Sequence, residues 1–474
     1  MKNEKKARAW LEFLVDMGSF REVDLREKKE ENELGVITAT GTIAGKKVFA
    51  YAQDFCIHGA ALGWDQGEKI AALVRQAGQE GCPLICINDS AGAKIQDGMG
   101  ALLAYGAIFR EHIQASGKIP QISVIAGNCA GGAAYGPGLC DFVFTVENLS
   151  HLYITGPSVV RTAIGQKVSH EELGGAAGHR KKSGVSHFCC ETLEECLKKV
   201  QQLIQLLTCK ETGGSGEANS CQALASLDDP YSILPERENQ IYDMKSLLMR
   251  ILDESSFLEY MEGYAENLIT GFGRIGGKTV GILANQPAFM GGVLDCAAGM
   301  KGGRFIRTCD SFGIPILSFV DTPGFMPGVE QEMKGIIREG AKLLYAFGEA
   351  SVMRITTIIR KSFGGAYIAM GCKTLGADRV FAWPGAKVAV MGEESALGVL
   401  YKKELKAAQE SGNYKSTYLE KSQEYRNNFL NLEKAVEKGW IDRILEPVNT
   451  RQTMIRELDG CIESNGGKHG NIPL

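Results

Sequence analysis

The chain has 474 residues, 44% of them apolar and 23% charged, which is more than one ordinary core holds and too apolar for extended disorder. A net charge of -4 gives no general electrostatic reason to approach nucleic acid or an anionic membrane, and no apolar run reaches the ~18 residues of a membrane span. The charged start Met1-Lys2-Asn3-Glu4-Lys5-Lys6 leads into an amphipathic stretch without a signal-like apolar region, so the sequence predicts a cytoplasmic protein.

In chain order, the first pattern of note is Asp16-Met17-Gly18-Ser19-Phe20-Arg21-Glu22, which returns as Asp253-Glu254-Ser255-Ser256-Phe257-Leu258-Glu259, 253 - 16 = 237 residues on. Gly41-Thr42-Ile43-Ala44-Gly45-Lys46 returns as Gly273-Arg274-Ile275-Gly276-Gly277-Lys278, 273 - 41 = 232 residues on. The segment from Gly67 to Val74 then carries helical periodicity, as does Ile336 to Leu344. The apolar run Leu84-Ile85-Cys86-Ile87 entering Asp89-Ser90-Ala91-Gly92 matches Ile316 to Val320 entering Asp321-Thr322-Pro323-Gly324, with 321 - 89 = 232. Ile122 to Ala126 and Ile355 to Ile359 read as buried strands, followed by Ala130-Gly131-Gly132-Ala133 and Phe363-Gly364-Gly365-Ala366, with 364 - 131 = 233. Asp141-Phe142-Val143-Phe144 and Asp378-Arg379-Val380-Phe381 complete five matches in one order, with 378 - 141 = 237.

An α/β fold present twice follows from this order. The polar, glycine-rich Lys210 to Glu217 and the helix-breaking Asp228-Asp229-Pro230 separate the copies, predicting domains over 1–226 and 227–474. Fourteen cysteines sit mostly inside apolar segments, which predicts reduced, buried thiols. With no C-x-x-C pair and no H-x-x-x-H spacing, no metal is expected.

Gly131-Gly132 and Gly364-Gly365 each close an extended run and open a small-residue helix. The first amides of a helix lack intrahelical acceptors and carry the positive end of its dipole, and glycine admits an oxygen close to them. Two such turns suit two oxygens that gain charge in one reaction. Close packing of strand and helix would demand the same glycines, and duplication would copy that demand as well.

Asn88-Asp89-Ser90-Ala91-Gly92-Ala93-Lys94-Ile95-Gln96-Asp97-Gly98 resembles the N-D-S-G-G-A-R-I-Q-E-G segment of the propionyl-CoA carboxylase β family. Cys129-Ala130-Gly131-Gly132-Ala133, Thr155-Gly156-Pro157, Glu171-Glu172-Leu173-Gly174-Gly175-Ala176, Val320-Asp321-Thr322-Pro323-Gly324-Phe325 and Arg360-Lys361-Ser362-Phe363-Gly364-Gly365-Ala366-Tyr367 extend the likeness over nearly the whole chain. The resemblance implies two tandem crotonase-like domains, a hexamer, and active sites formed between the N-domain of one subunit and the C-domain of another. It implies one oxyanion hole on Gly131 and Gly132 for the thioester carbonyl. A second, on Gly365 and Ala366, would serve the biotin ureido oxygen, or the two roles would be interchanged.

The same resemblance implies carboxyl transfer between carboxybiotin and the α-carbon of a short acyl-CoA, with the enolate held by amides and no side-chain base. Ala91, Gly92, Ala93 and Lys94 would meet coenzyme A, although Ala91 stands where the family has glycine. Ile368 would lie beside the acyl group, unless it is ordinary core. His58, His151, His179 and His187 read as structural, and Asp89 and Asp321 as turn caps. No A-M-K-M motif surrounds Lys301 or Lys334, so biotin must come on a biotin carboxyl carrier protein. The further partner would be a biotin carboxylase subunit or, for a decarboxylase, a membrane sodium pump subunit. Gly271 to Thr279 resembles a P-loop but carries Phe272 where the loop requires glycine, and reads as a hairpin. A free-standing enoyl-CoA hydratase or isomerase is opposed by the duplication, and a non-catalytic scaffold by the intact glycine pairs.

Overall fold

The computed structural model describes residues 6–26, 34–208, 229–237, 240–460 and 466–473. Two compact units divide the chain: Met1–Lys210 with Glu259–Tyr264 and Gly466–Leu474, and Glu211–Leu258 with Ala265–Asn465. The expected linker from Lys210 to Glu217 and the 226/227 boundary lie outside the described residues. Among the described residues, no helix is long and apolar enough to cross a membrane.

In the first unit the strands are β1 (Arg21–Glu22), β2 (Val36–Ile43), β3 (Lys46–Gln53), β4 (Leu84–Ser90), β5 (Gln121–Ala130), β6 (Phe142–Val146), β7 (His151–Tyr153) and β8 (Phe188–Cys190). They form one sheet in the order β1-β2-β3-β4-β5-β6-β8, with β7 on the far end of β5. The pairs β1/β2 and β2/β3 are antiparallel, and every pair beyond β3 is parallel. Strands β4 to β6 are near-continuous apolar runs because helices cover them, which is the usual setting of parallel strands. Helices Trp64–Glu80 and Met99–Ala115 lie together at Gly67, where an added Cβ would sit 2.4 Å from the Ala104 methyl.

The second unit repeats this plan with β10 (Leu268–Ile275), β11 (Lys278–Asn285), β12 (Ile316–Thr322), β13 (Arg354–Phe363), β14 (Arg379–Ala382), β15 (Lys387–Ala389) and β16 (Arg443–Ile444), while β9 (Leu258–Tyr260) falls where the units divide, Leu258 in the second and Glu259 and Tyr260 in the first. Its sheet runs β16-β14-β13-β12-β11-β10, with β15 on β13. The recurring motifs now have physical reasons. Asp16 accepts from the Ala44 and Gly45 amides at 3.0 and 2.9 Å, and Asp253 accepts from Gly276 and Gly277 at 2.9 and 2.8 Å. Ser19 and Ser256 each accept a strand amide at 3.0 Å. The Asp-x-x-Ser signature is therefore a clamp on a glycine-containing hairpin turn, and the P-loop-like stretch is the β10/β11 hairpin. A buried lysine is duplicated as well: Lys69 Nζ donates to Val36 O at 3.0 Å and Lys301 Nζ to Ala265 O at 3.4 Å.

Candidate active site

At the end of β5 the chain turns through Gly131, with φ of 63°, into helix Gly132–Leu139. A side chain there would force a left-handed conformation, so glycine is needed for the turn itself. The Gly131 amide donates to Tyr153 O on β7 at 3.1 Å, and the Ala134 amide bends back to Gly131 O at 3.0 Å. Gly131 therefore shapes the turn, and its amide is engaged within the unit. The amides of Gly132 and Ala133 lie in the first turn, where the helix supplies no acceptor.

The Ala91-Gly92-Ala93-Lys94 turn lies against this one. Gly92, with φ of 101°, packs so closely that a Cβ would stand 2.8 Å from Ala130 O. Ala91 N donates to Gly59 O, Leu62 N to Gly92 O and Lys94 N to Leu62 O, each at 2.9 Å. Ser90 Oγ receives the Gly92 amide at 3.1 Å and donates to Ala60 O at 2.8 Å. Ser90, not Asp89, caps the turn. The alanine at position 91 leaves the turn closed, since the positive φ falls on Gly92. Ala91 and Ala93 are exposed, and Lys94 Nζ reaches Asp97 Oδ1 at 3.0 Å.

In the second unit β13 ends at Phe363, and Gly364, with φ of 59°, opens helix Gly364–Ala369. The equivalents of Gly132 and Ala133 are Gly365 and Ala366, which makes the two turns consistent to the residue. Gly365 is exposed while the Ala366 side chain is fully buried, so the core fixes the direction of that peptide. The turn against it mirrors the first: Leu294 N donates to Gly324 O at 3.0 Å, Met326 N to Leu294 O at 2.8 Å, and Thr322 Oγ1 receives Gly324 N at 3.3 Å. Ile368 is 43% exposed, so its reading as ordinary core does not hold.

The aspartates diverge between the copies. Asp321 is buried and ion-paired with Arg360 Nε at 2.8 Å, receives the Tyr242 hydroxyl at 3.0 Å, and lies under an Arg360 guanidinium stacked 4.6 Å from the Tyr242 ring. Position 127, which corresponds to 360 at the offset of 233, is a glycine whose Cβ would fall 2.2 Å from Asp89 Oδ1. Asp89 thus has no such cation. It accepts the Asn128 amide at 3.1 Å, and burial pushes its carboxyl up to about 6 against the pull of that amide. Sequence reasoning missed this divergence, although the unequal pair Gly127 and Arg360 was its signal.

The histidines hold the scaffold. His179 Nε2 meets Leu152 O at 2.8 Å, buried His187 Nδ1 accepts the Val143 amide at 3.0 Å, and His151 Nε2 lies 3.4 Å from Glu171. His170 Nδ1 meets the Tyr153 hydroxyl at 2.7 Å on the strand that receives the Gly131 amide. Lys301 is 1% exposed and so cannot carry a prosthetic arm.

Two duplicated sheets, each ending in a glycine turn backed by a second turn, define an acyl-CoA-type carboxyltransferase scaffold, and the family described as carboxyl transferase domain matches residues 1–464, so the chain belongs to it. The propionyl-CoA carboxylase carboxyltransferase subunit of Haloferax mediterranei is 44% identical over 494 residues, covering 100% of this chain and 94% of that protein. Methylmalonyl-CoA decarboxylase subunit alpha of Veillonella parvula is 44% identical over 490 residues, covering 99% and 93%. Among solved structures, the transcarboxylase 12S hexamer with methylmalonyl-coenzyme A and methylmalonic acid bound matches with a TM-score of 0.89 at 40% identity, over 99% of this chain and 92% of that one. The chain is a biotin-dependent acyl-CoA carboxyltransferase, of the propionyl-CoA carboxylase β or methylmalonyl-CoA decarboxylase α type, with two tandem crotonase-like domains.

Proposed function

We propose that this chain moves a carboxyl group between carboxybiotin on a carrier protein and the α-carbon of a short acyl-CoA, with backbone amides holding the charge. The observation that carries the reading is the coincidence of Gly132-Ala133 and Gly365-Ala366 in equivalent first turns. Preorganised N–H dipoles stabilise an oxygen as it becomes negative, without reorganising at the moment of reaction. On this reading one pair faces the thioester carbonyl and the other the ureido oxygen. A biotin group on the carrier would supply the carboxyl as carboxybiotin, and its ureido nitrogen, freed of carbon dioxide, would be the acceptor for the acyl α-proton. The protein supplies orientation and charge stabilisation, and no side-chain base is needed.

The Ala91 to Lys94 turn would meet coenzyme A, with Lys94 exchanging Asp97 for a phosphate, and Ile368 would face the acyl chain. The two halves act as N- and C-terminal carboxyltransferase domains, and a hexamer would bring the turns of different subunits to one reaction. The partners are a biotin carboxyl carrier protein and a biotin carboxylase subunit. In the decarboxylase reading, a membrane pump subunit replaces the latter.

The two glycines are unequal probes. A Cβ on Gly132 would lie 2.7 Å from the Tyr105 ring, so Gly132→Val tests packing as much as chemistry, whereas Gly365 has only ordinary contact with Phe325 at 3.6 Å. Gly365→Val should lower transfer from methylmalonyl-CoA to free biotin by ~10²-fold or more, the scale of losing an oxyanion donor, with the oligomer intact. Undiminished turnover would remove the mechanism. Proteins that co-purify with the chain would separate carboxylase from decarboxylase.

A further inference from the structure

Apart from the reaction, the first unit brings together three groups that lie far apart in sequence: Cys86 on β4, His112 on helix Met99–Ala115, and Cys140 just after the glycine-turn helix Gly132–Leu139. Their ligand atoms all lie within 4.8 Å of one another, and each residue is 1% exposed. On a tetrahedral zinc ion, two thiolates and an imidazole nitrogen stand about 3.5–3.8 Å apart, so small side-chain rotations would close the site.

The imidazole is set for this. Gln121, fully buried, donates its Nε2 to His112 O at 3.0 Å and turns its Oε1 to His112 Nδ1 at 2.6 Å. An amide oxygen at that distance requires the proton on Nδ1, which leaves the Nε2 lone pair for a ligand. Metal-bound histidines are commonly held this way by an outer carbonyl. Gln121 is itself fixed, because its backbone amide donates to Asp141 Oδ2 at 2.9 Å.

We infer that Cys86, His112 and Cys140 form a structural site for a zinc-class divalent ion that ties β4, helix Met99–Ala115 and the end of the glycine-turn helix together. Charge favours a divalent ion, since two thiolates and one Zn²⁺ sum to zero in an interior that penalises net charge.

The full chain, produced with zinc and dialysed against a weak chelator, should retain one equivalent of zinc. Replacing that zinc with Co²⁺ should produce near-ultraviolet thiolate-to-cobalt absorption. Cys86→Ser with Cys140→Ser, or His112→Asn alone, should lose about tenfold or more of the retained metal while keeping the circular dichroism of the parent. The unaltered protein should also unfold at higher temperature with zinc than after chelation, a comparison that requires no variant. A parent that holds no more zinc than the double variant, or shows no thiolate band with Co²⁺, would overturn the assignment and leave a hydrogen-bonded core cluster.

Discussion

At the scale of single residues, the copies differ at the aspartate near the end of β4 and of β12. Asp321 has its cation, whereas among the described residues Asp89 accepts the Asn128 amide and has a carboxyl raised to about 6. An unfolded aspartate ionises near 3.8, so between these values the native state holds the extra proton. Stability is then insensitive to this group below about pH 4, falls as pH rises through about 6, and stays reduced above. Allowing for partial solvation, the loss is on the order of 1 kcal/mol. Asp89→Asn should flatten that part of the pH dependence, because an amide oxygen can still accept from Asn128. Urea midpoints near pH ~4.5 and ~7.5 provide the check, and an equal change in both proteins would show that Asp89 is not the group responsible. Its sequence neighbourhood, Asn88-Asp89-Ser90, matches Val320-Asp321-Thr322 well enough to hide this difference. A turn cap and an ion pair demand the same residue, and only the position across the sheet distinguishes them.

At the scale of elements, the duplication was legible because hairpin clamps and glycine turns tolerate few residue types, so their patterns survive where helices drift. The donor assignment was legible only in part. That Gly131 is spent on Tyr153 depends on β7 pairing with the far end of β5, and no spacing in Ala130-Gly131-Gly132 reports a strand that begins twenty residues later. Cys86, His112 and Cys140 escaped for a similar reason: local ligand spacing cannot show residues gathered from a strand, a helix and the end of another helix. The helix crossing at Gly67 is a tight joint. Gly67→Val would push Ala104 outward and should cost ~1–3 kcal/mol by overpacking, read as a lower urea midpoint with unchanged slope. Gly100, with nothing near a built Cβ, is the matching control, and Gly100→Ala should leave the midpoint within ~0.5 kcal/mol. Equal midpoints for the two would mean that the crossing is not close.

At the scale of the whole molecule, the two units are not simple halves. The segment Glu259–Tyr264 belongs to the first unit, where Met261 N donates to His187 O at 2.8 Å and Tyr260 meets the Phe142 ring edge-on at 6.2 Å. Gly466–Leu474 belongs there too: Asn471 Nδ2 donates to Asp141 Oδ1 and its backbone amide to Ser116 Oγ, each at 2.8 Å. Removing residues 466–474 would leave the buried Asp141 short of a partner, at a cost of ~1–3 kcal/mol. Faster amide exchange should follow in β5 and β6, with β12 and β13 unaffected, and uniform exchange in both units would contradict this placement.

The Asn471 bond to Asp141 also bears on how the protein comes off the ribosome. Synthesis runs from the first unit to the second, yet a strap of the first is translated after residues 265–465 of the second. The region synthesised first lacks its hydrogen bonds from Asn471 until residues 466–473 are made. A nascent chain stalled before residue 466 would therefore present its N-terminal region to chaperones and proteases in an open state, however well the later region had folded.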